Sequence, residues 1–427
     1  MMKRLDYPHV GEILYETSLP NGLPVLVSPK PGYAKSYAFF ATKYGGAMRR
    51  FNLQGRAIDT PAGVAHFLEH KMFDMPEGNA LAALSQNGAS PNAYTSGGIT
   101  AYHFESTQGF YENLDILLKF VSTPYFTAES VGKEQGIIGQ EIRMTEDNPY
   151  FALYYGLLRA LYDHHPVRES VAGTVESIAE ITPETLYDCH RAFYVPSNMV
   201  LCVAGDVDAE KVAAAAERIL PGELSEVPRP DYGEPEALEP TAPRVELAMD
   251  VSAPQFLVGA KLPAPESGAD ILRQTLICEL ALRSLVGRSS PFYTGLYAEG
   301  LLRADFSYGE DFSCGTAYME LGGESAEPER VLERFVSEVR RVSENGLEPE
   351  AFERARRADY GLTLRSLGSF SSLCRALADG AMNGYRFLDV FEVSRSLSAD
   401  DCAEYIRENF APERLALAAV TPRGPKG

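Results

Sequence analysis

The chain has 427 residues, too many for one hydrophobic core, so at least two domains are expected. Its hydrophobic fraction of 45% is ordinary for a globular protein, and no apolar run approaches membrane-spanning length. A formal net charge of −20, with no clustering of Lys and Arg, excludes a general nucleic-acid binder; the scattered acidic residues read as a solvated, self-repelling surface.

Met1 to His9 carries basic residues with no apolar segment after them, so it is not a secretory signal, and a cytoplasmic protein is expected. Alternating apolar residues then predict strands over Leu23 to Ser28 and Ser36 to Thr42. The most informative stretch follows, His66-Phe67-Leu68-Glu69-His70. On a helix His70 lies about 40° round the axis from His66, and Glu69 about 60° to the other side, so all three project in one direction. Two imidazoles can share one metal, and a carboxylate between them is placed for proton transfer rather than ligation.

A catalytic zinc usually takes three protein ligands and keeps one position for water, so a further donor is needed. Glu134 and Glu141 stand seven residues apart, almost two helical turns, and share a face. Glu141 is assigned as the third ligand, and Glu134 as a carboxylate behind it that orients a liganding imidazole. Helices are predicted around these residues, over Asn113 to Ser122 and Phe151 to Tyr162. His164-His165 diverge by about 100° and precede Pro166, which suits a helix end better than a metal pair.

A strand over Met199 to Ala204 ends the first half. Residues 222–243 are rich in proline and acid, lack apolar periodicity, and read as an extended linker between a domain of residues 1–221 and one of residues 244–427. The second half repeats the plan: strands at Arg244 to Asp250 and Gln255 to Lys261, helices at Ala269 to Val286 and Pro328 to Glu344, and a closing strand at Leu415 to Val420. Strands followed by runs of helices predict an α+β fold, here duplicated, each domain a mostly antiparallel sheet covered by helices on one face. All seven histidines precede the linker, and the segment from Asp270 that parallels the metal helix has no comparable ligands, so the second half cannot repeat the site. The six cysteines are widely separated with no CxxC pair and read as buried free thiols.

The HxxEH motif within Thr60 to Phe73, with Ser90 to Thr95, the Glu134 and Glu141 segment, Glu146 to Pro149 and Pro196 to Met199, resembles the pitrilysin family of inverted-motif zinc peptidases, and within it the short bacterial subunits related to mitochondrial processing peptidase. The resemblance spans nearly the whole chain. It implies one Zn2+ per chain held by His66, His70 and Glu141, Glu69 activating water, and a peptide substrate added as a strand along Asn92, Ala93 and Tyr94. Substrate is enclosed between the catalytic and noncatalytic domains in that family.

One departure matters. Active members usually carry, in the noncatalytic half, an Arg and a Tyr seven residues apart that contact substrate or the developing oxyanion. By ungapped alignment Leu296 takes the Arg position here and Arg303 the Tyr position, while Arg288, Tyr293 and Tyr297 lack the spacing. The expectation is a zinc endopeptidase of short or unfolded peptides, serving degradation or leader and presequence processing. It would act as the catalytic subunit of a heterodimer whose zinc-less partner supplies the Arg-Tyr pair. The alternatives are a noncatalytic assembly subunit or a peptide-binding module with a structural metal.

Overall fold

The computed structural model describes residues 2–220 and 222–423. Pro221, the last residue of the expected first domain, and residues 424–427 lie outside the described residues. Strands β1 (Lys3–Tyr7), β2 (Glu12–Ser18), β3 (Pro24–Pro29) and β4 (Ser36–Thr42) come first, followed by the short β5 (Arg50–Leu53) and β6 (Arg56–Asp59). Helix α1 (Val64–Lys71), the two-residue β7 (Asp74–Met75) and β8 (Gly78–Asn79), and α2 (Ala80–Gln86) lead to the hairpin β9 (Ala89–Thr95) and β10 (Thr100–Ser106). Helices α3 (Phe110–Ser122), α4 (Ala128–Glu146), α5 (Pro149–Leu161), α6 (Val175–Ala179) and α7 (Pro183–Phe193) precede β11 (Met199–Gly205) and α8 (Ala209–Ile219).

After β12 (Pro230–Asp231) the second half runs β13 (Arg244–Met249), β14 (Gln255–Lys261), α9 (Gly268–Val286), α10 (Pro291–Ala298), β15 (Ser307–Asp311) and β16 (Tyr318–Glu324). It continues with α11 (Pro328–Asn345), α12 (Pro349–Ser366), α13 (Phe370–Asn383), α14 (Val390–Ser396) and α15 (Ala399–Asn409), and closes with β17 (Leu415–Pro422). The first sheet has the order β1-β2-β3-β11-β4-β10-β9, and the second β13-β17-β14-β16-β15. Each has a single parallel pair, β3 with β11 and β13 with β17, at the equivalent place. The second sheet therefore repeats the last five strands of the first, and the fold is a duplicated α+β architecture.

Each of two compact units draws on residues from both sides of the linker. One compact unit comprises the described residues of Met1–Ile142, Ser170–Tyr232 and Leu364–Leu388, the other those of Arg143–Glu169, Gly233–Thr363 and Asp389–Gly427. Helix α5, encoded in the first half, buries Leu153, Leu157, Leu158 and Leu161 against Leu257, Ala416, Ala418 and Val420 of the second sheet. Gly259 admits it, since a Cβ there would lie 2.9 Å from Leu157 Cδ2. Reciprocally, α13 packs on β4 and β11. Every residue of those two strands is buried, because helices of the first half cover one face and α13 the other. Periodicity shows that α5 and α13 have an apolar stripe, but not which sheet receives it.

The acidic linker is partly tied down. Pro230 and Asp231 pair with Phe51 and Arg50. The Glu236 carboxylate accepts from the main-chain N–H groups of Asp163, His164 and His165 at 2.8, 2.9 and 2.8 Å. His165 Nδ1 accepts from Val167 N at 3.1 Å, capping a short 3-10 turn. Five cysteines are buried free thiols; Cys314 corrects that expectation, being half-buried with φ 56° in the left-handed region.

Candidate active site

Helix α1 starts from Gly63, whose φ of 93° and whose missing Cβ, which would sit 2.5 Å from Ala172 O, both require glycine. Val64, Phe67 and Leu68 then pack into the first core, and this fixes the rotation of the helix. His66 and His70 emerge one turn apart on the less buried side, ring centroids 4.6 Å apart.

Glu141 of α4 meets both rings: its Oε1 is 3.6 Å from His66 Nε2 and its Oε2 is 3.6 Å from His70 Nε2. Donor atoms of the three residues all lie within 4.8 Å of one another, the only such group among the described residues. Two ligand atoms about 2.1 Å from a tetrahedral ion are separated by about 3.4 Å, so the set fits a shared zinc. Neutral imidazoles are required for ligation. Burial first, and then the neighbouring His70, pull the His66 pKa down to about 4, which keeps that ring neutral.

Glu134, two turns before Glu141, accepts a hydrogen bond at 3.0 Å from His70 Nδ1, leaving Nε2 to face Glu141. Burial alone would lower the His70 pKa, but the bond to Glu134 and the charges of Glu69, Glu134 and Glu141 outweigh it and the pKa is raised. The same bond, with help from Lys71, holds Glu134 below the usual carboxylate range. Lys71 is 2% exposed, 3.6 Å from Glu134 Oε2, and also pairs with Asp74.

Glu69 is buried, and its Oε2 accepts from Thr95 Oγ1 at 2.7 Å. Burial raises its pKa, against the lowering effects of Thr95 and His70. Thr95 ends β9, the edge strand of its sheet. Ser96 N donates to Ile99 O at 2.8 Å, so in this antiparallel register the main-chain groups of Pro91, Ala93 and Thr95 point away from β10. Pro91 thus puts its missing N–H on the open side, where no ladder bond is lost. The outward Ala93 N–H is held by its neighbour's side chain, Asn92 Oδ1, at 2.8 Å. Side chains alternate: Thr95 turns towards α1, Asn92 and Tyr94 to the opposite face.

The chain's order thus brings His66, His70, Glu141, Glu134 and Glu69 together, with Asn92, Ala93 and Tyr94 on the adjoining edge. Sequence spacing alone does not mark Thr95, Lys71 or Asp74: Thr95 and Lys71 lie inside the Ser90 to Thr95 and Thr60 to Phe73 motifs, but nothing local identifies their partners. In the second half, α9, α12 and β15 stand where α1, α4 and β9 stand in the first. There Arg283 Nη2 lies 2.8 Å from Glu279 and 3.3 Å from Asp359, an ion-pair cluster in place of metal ligands. Leu296 is fully buried in α10, and Arg303 pairs with Glu324 at 3.3 Å.

A duplicated α+β chain with an HxxEH helix and a distant glutamate defines the inverted-motif zinc-peptidase class. Residues 55–175 match the family model "Insulinase (Peptidase family M16)" and residues 180–358 match "Peptidase M16 inactive domain", and the chain belongs to peptidase family M16. It is 38% identical, over 99% of its length and 100% of the other chain, to a Bacillus subtilis (strain 168) protein named "Uncharacterized zinc protease YmfH". The crystal structure of an M16-like peptidase from Alicyclobacillus acidocaldarius superposes with TM-score 0.92 at 36% identity, covering 98% of this chain and 100% of that one. Pitrilysin shares the fold, with TM-score 0.77 at 16% identity; all 100% of this chain matches 47% of pitrilysin. Among the described residues no helix is long and apolar enough to cross a membrane.

Proposed function

We propose that the chain is a zinc-dependent endopeptidase acting on short or unfolded peptides, in degradation or in leader or presequence processing. The observation that carries this is the convergence of His66, His70 and Glu141 within 4.8 Å beside a buried, Thr95-bonded Glu69. His66, His70 and Glu141 would hold the metal. Zinc bound there supplies Lewis acidity towards a scissile carbonyl and lowers the pKa of attacking water.

The chain's own groups do the rest. Glu69, whose pKa burial has raised, takes the proton from water and passes it to the leaving nitrogen. Thr95 keeps its carboxylate in one orientation. Glu134 fixes the His70 tautomer and ring plane through Nδ1. The open edge of β9 pairs with an extended substrate backbone through the outward groups of Ala93 and Thr95, the Asn92 carboxamide giving way on Ala93 N–H. Replacing Glu69 by Gln tests the reading. Zinc content should be retained and peptide hydrolysis lost, whereas unchanged turnover would overturn it.

The chain works as the catalytic subunit of a heterodimer, its partner a related chain without the zinc ligands that contributes an Arg and a Tyr to substrate. Leu296, at the Arg position, is a buried apolar side chain, and Arg303, at the Tyr position, carries no phenol; both support this, because neither supplies the missing group. Coexpression with such a partner should raise cleavage strongly. Full activity from the purified single chain would refute the division of labour.

A further inference from the structure

Helix α13 lies within the same compact unit as the zinc-ligand cluster and covers the face of the sheet opposite α1. Its Arg375 holds the guanidinium carbon 4.7 Å above the Tyr94 ring, on the edge strand itself. His103 of β10 lies 6.4 Å from Tyr94 and 5.5 Å from Tyr37, completing an aromatic floor under the arginine. Arg375 is exposed, and among the described residues no carboxylate lies within ion-pair reach of it. The nearby acids are engaged elsewhere: Asp379 accepts from Asn383 Nδ2 at 2.9 Å and from Tyr385 Oη, and Glu105 pairs with Lys35 at 2.9 Å. Burial, then Arg375, hold the His103 pKa at about 4, so His103 adds no charge near neutral pH.

A strand added to β9 alternates its side chains as β9 does. Residues facing Thr95 and Ala93 meet the α1 side, and those beside Asn92 and Tyr94 project towards α13. On a chain of net charge −20 the long-range field repels acidic peptides, so a carboxylate can be accepted only by a cation at short range. An arginine stacked on an aromatic ring keeps its N–H edge free for that contact.

We propose that Arg375 is a specificity-determining residue that selects peptides with a carboxylate side chain at the substrate position projecting beside Tyr94, on the face away from the metal ligands. This rests on strand addition along β9, as proposed above.

The test uses the zinc-loaded chain, alone and coexpressed with a zinc-less relative, and one extended peptide in which each position in turn is Glu or Lys. A parallel series carries backbone N-methylation at each position. Wild type should prefer Glu over Lys at a single position, by roughly two- to fivefold in kcat/KM through KM, as for an exposed ion pair. Arg375→Glu should invert that preference without changing kcat, and Arg375→Lys should keep its direction. Sensitivity to N-methylation with no charge preference, or a preference unmoved by Arg375→Glu, overturns the role of Arg375 and leaves strand addition standing. Indifference to N-methylation at every position overturns strand addition and this inference with it.

Discussion

Replacing Glu134 by Gln isolates what the carboxylate behind His70 contributes. Gln can still accept from His70 Nδ1, so the 3.0 Å contact survives in shape while its charge is lost. The nearly fully buried Lys71 is left with Asp74 as its carboxylate partner. Outer-shell partners of liganding histidines are typically worth about 10- to 100-fold in metal affinity, or roughly 1.4–2.7 kcal/mol. A half-buried, charge-assisted bond puts this site towards the upper end. The sign of the pH dependence follows from the raised pKa of His70, to which the Glu134 bond is the first raising contribution. A proton competes with zinc for His70 more in the wild type than in the variant, so the wild-type advantage is full above the His70 pKa and narrows as pH falls through it. Competition titration against a chromophoric zinc chelator, repeated from acidic to alkaline pH, measures both effects. Equal affinities at all pH values, or an advantage that widens on acidification, would refute the role given to Glu134.

Three further outcomes are expected. Gly63→Ala must place a side chain at φ 93° with its Cβ against Ala172 O, so unfolding by urea should show a loss of about 1–3 kcal/mol together with weakened zinc binding; a loss within error would sink the argument. Zinc should raise the melting temperature of the wild type and not that of Glu141→Ala, and chelation should abolish hydrolysis while leaving far-UV circular dichroism unchanged, since the three ligands are not among the buried residues that pack the apolar clusters. Burial, then Glu279, Asp359 and Asp311, push the Glu310 pKa up to about 8 from 4.5. The folded state therefore holds a proton that the unfolded chain releases. Stability from this group is full below about pH 4.5 and lost as pH rises through about 8. Glu310→Gln should be near neutral at acidic pH and stabilising above about pH 8, by up to a few kcal/mol at roughly 1.4 kcal/mol per unit. An equal effect at both ends of the range would contradict it.

The parts of the site that were legible in the sequence are those where one helix or strand carries its own geometry. The i, i+4 spacing of His66 and His70, with Glu69 between, survives unchanged because α1 is a regular helix. The seven-residue interval likewise keeps Glu134 and Glu141 on one face of α4, which meets both histidines. Strand bounds at Ser36–Thr42 and Gln255–Lys261 match alternation and apolar runs residue for residue. What sequence could not supply was pairing across the chain. Thr95 is an ordinary strand residue until the β9 hairpin sets its hydroxyl 2.7 Å from Glu69, and Lys71 reads as a solvated helix end until Asp74 and Glu134 enclose it. The exchange of α5 and α13 is the same problem at larger scale. An apolar stripe specifies that a helix is covered, and only the shape of the receiving sheet, as at Gly259 beneath Leu157, specifies where. That exchange has a functional consequence. By sending α13 back to the first sheet, the fold puts Arg375, from the half without metal ligands, beside the edge strand of the half that has them. Loss of metal ligands from the second half therefore need not free it from substrate selection, and substitutions in α13 belong among those tested for altered specificity.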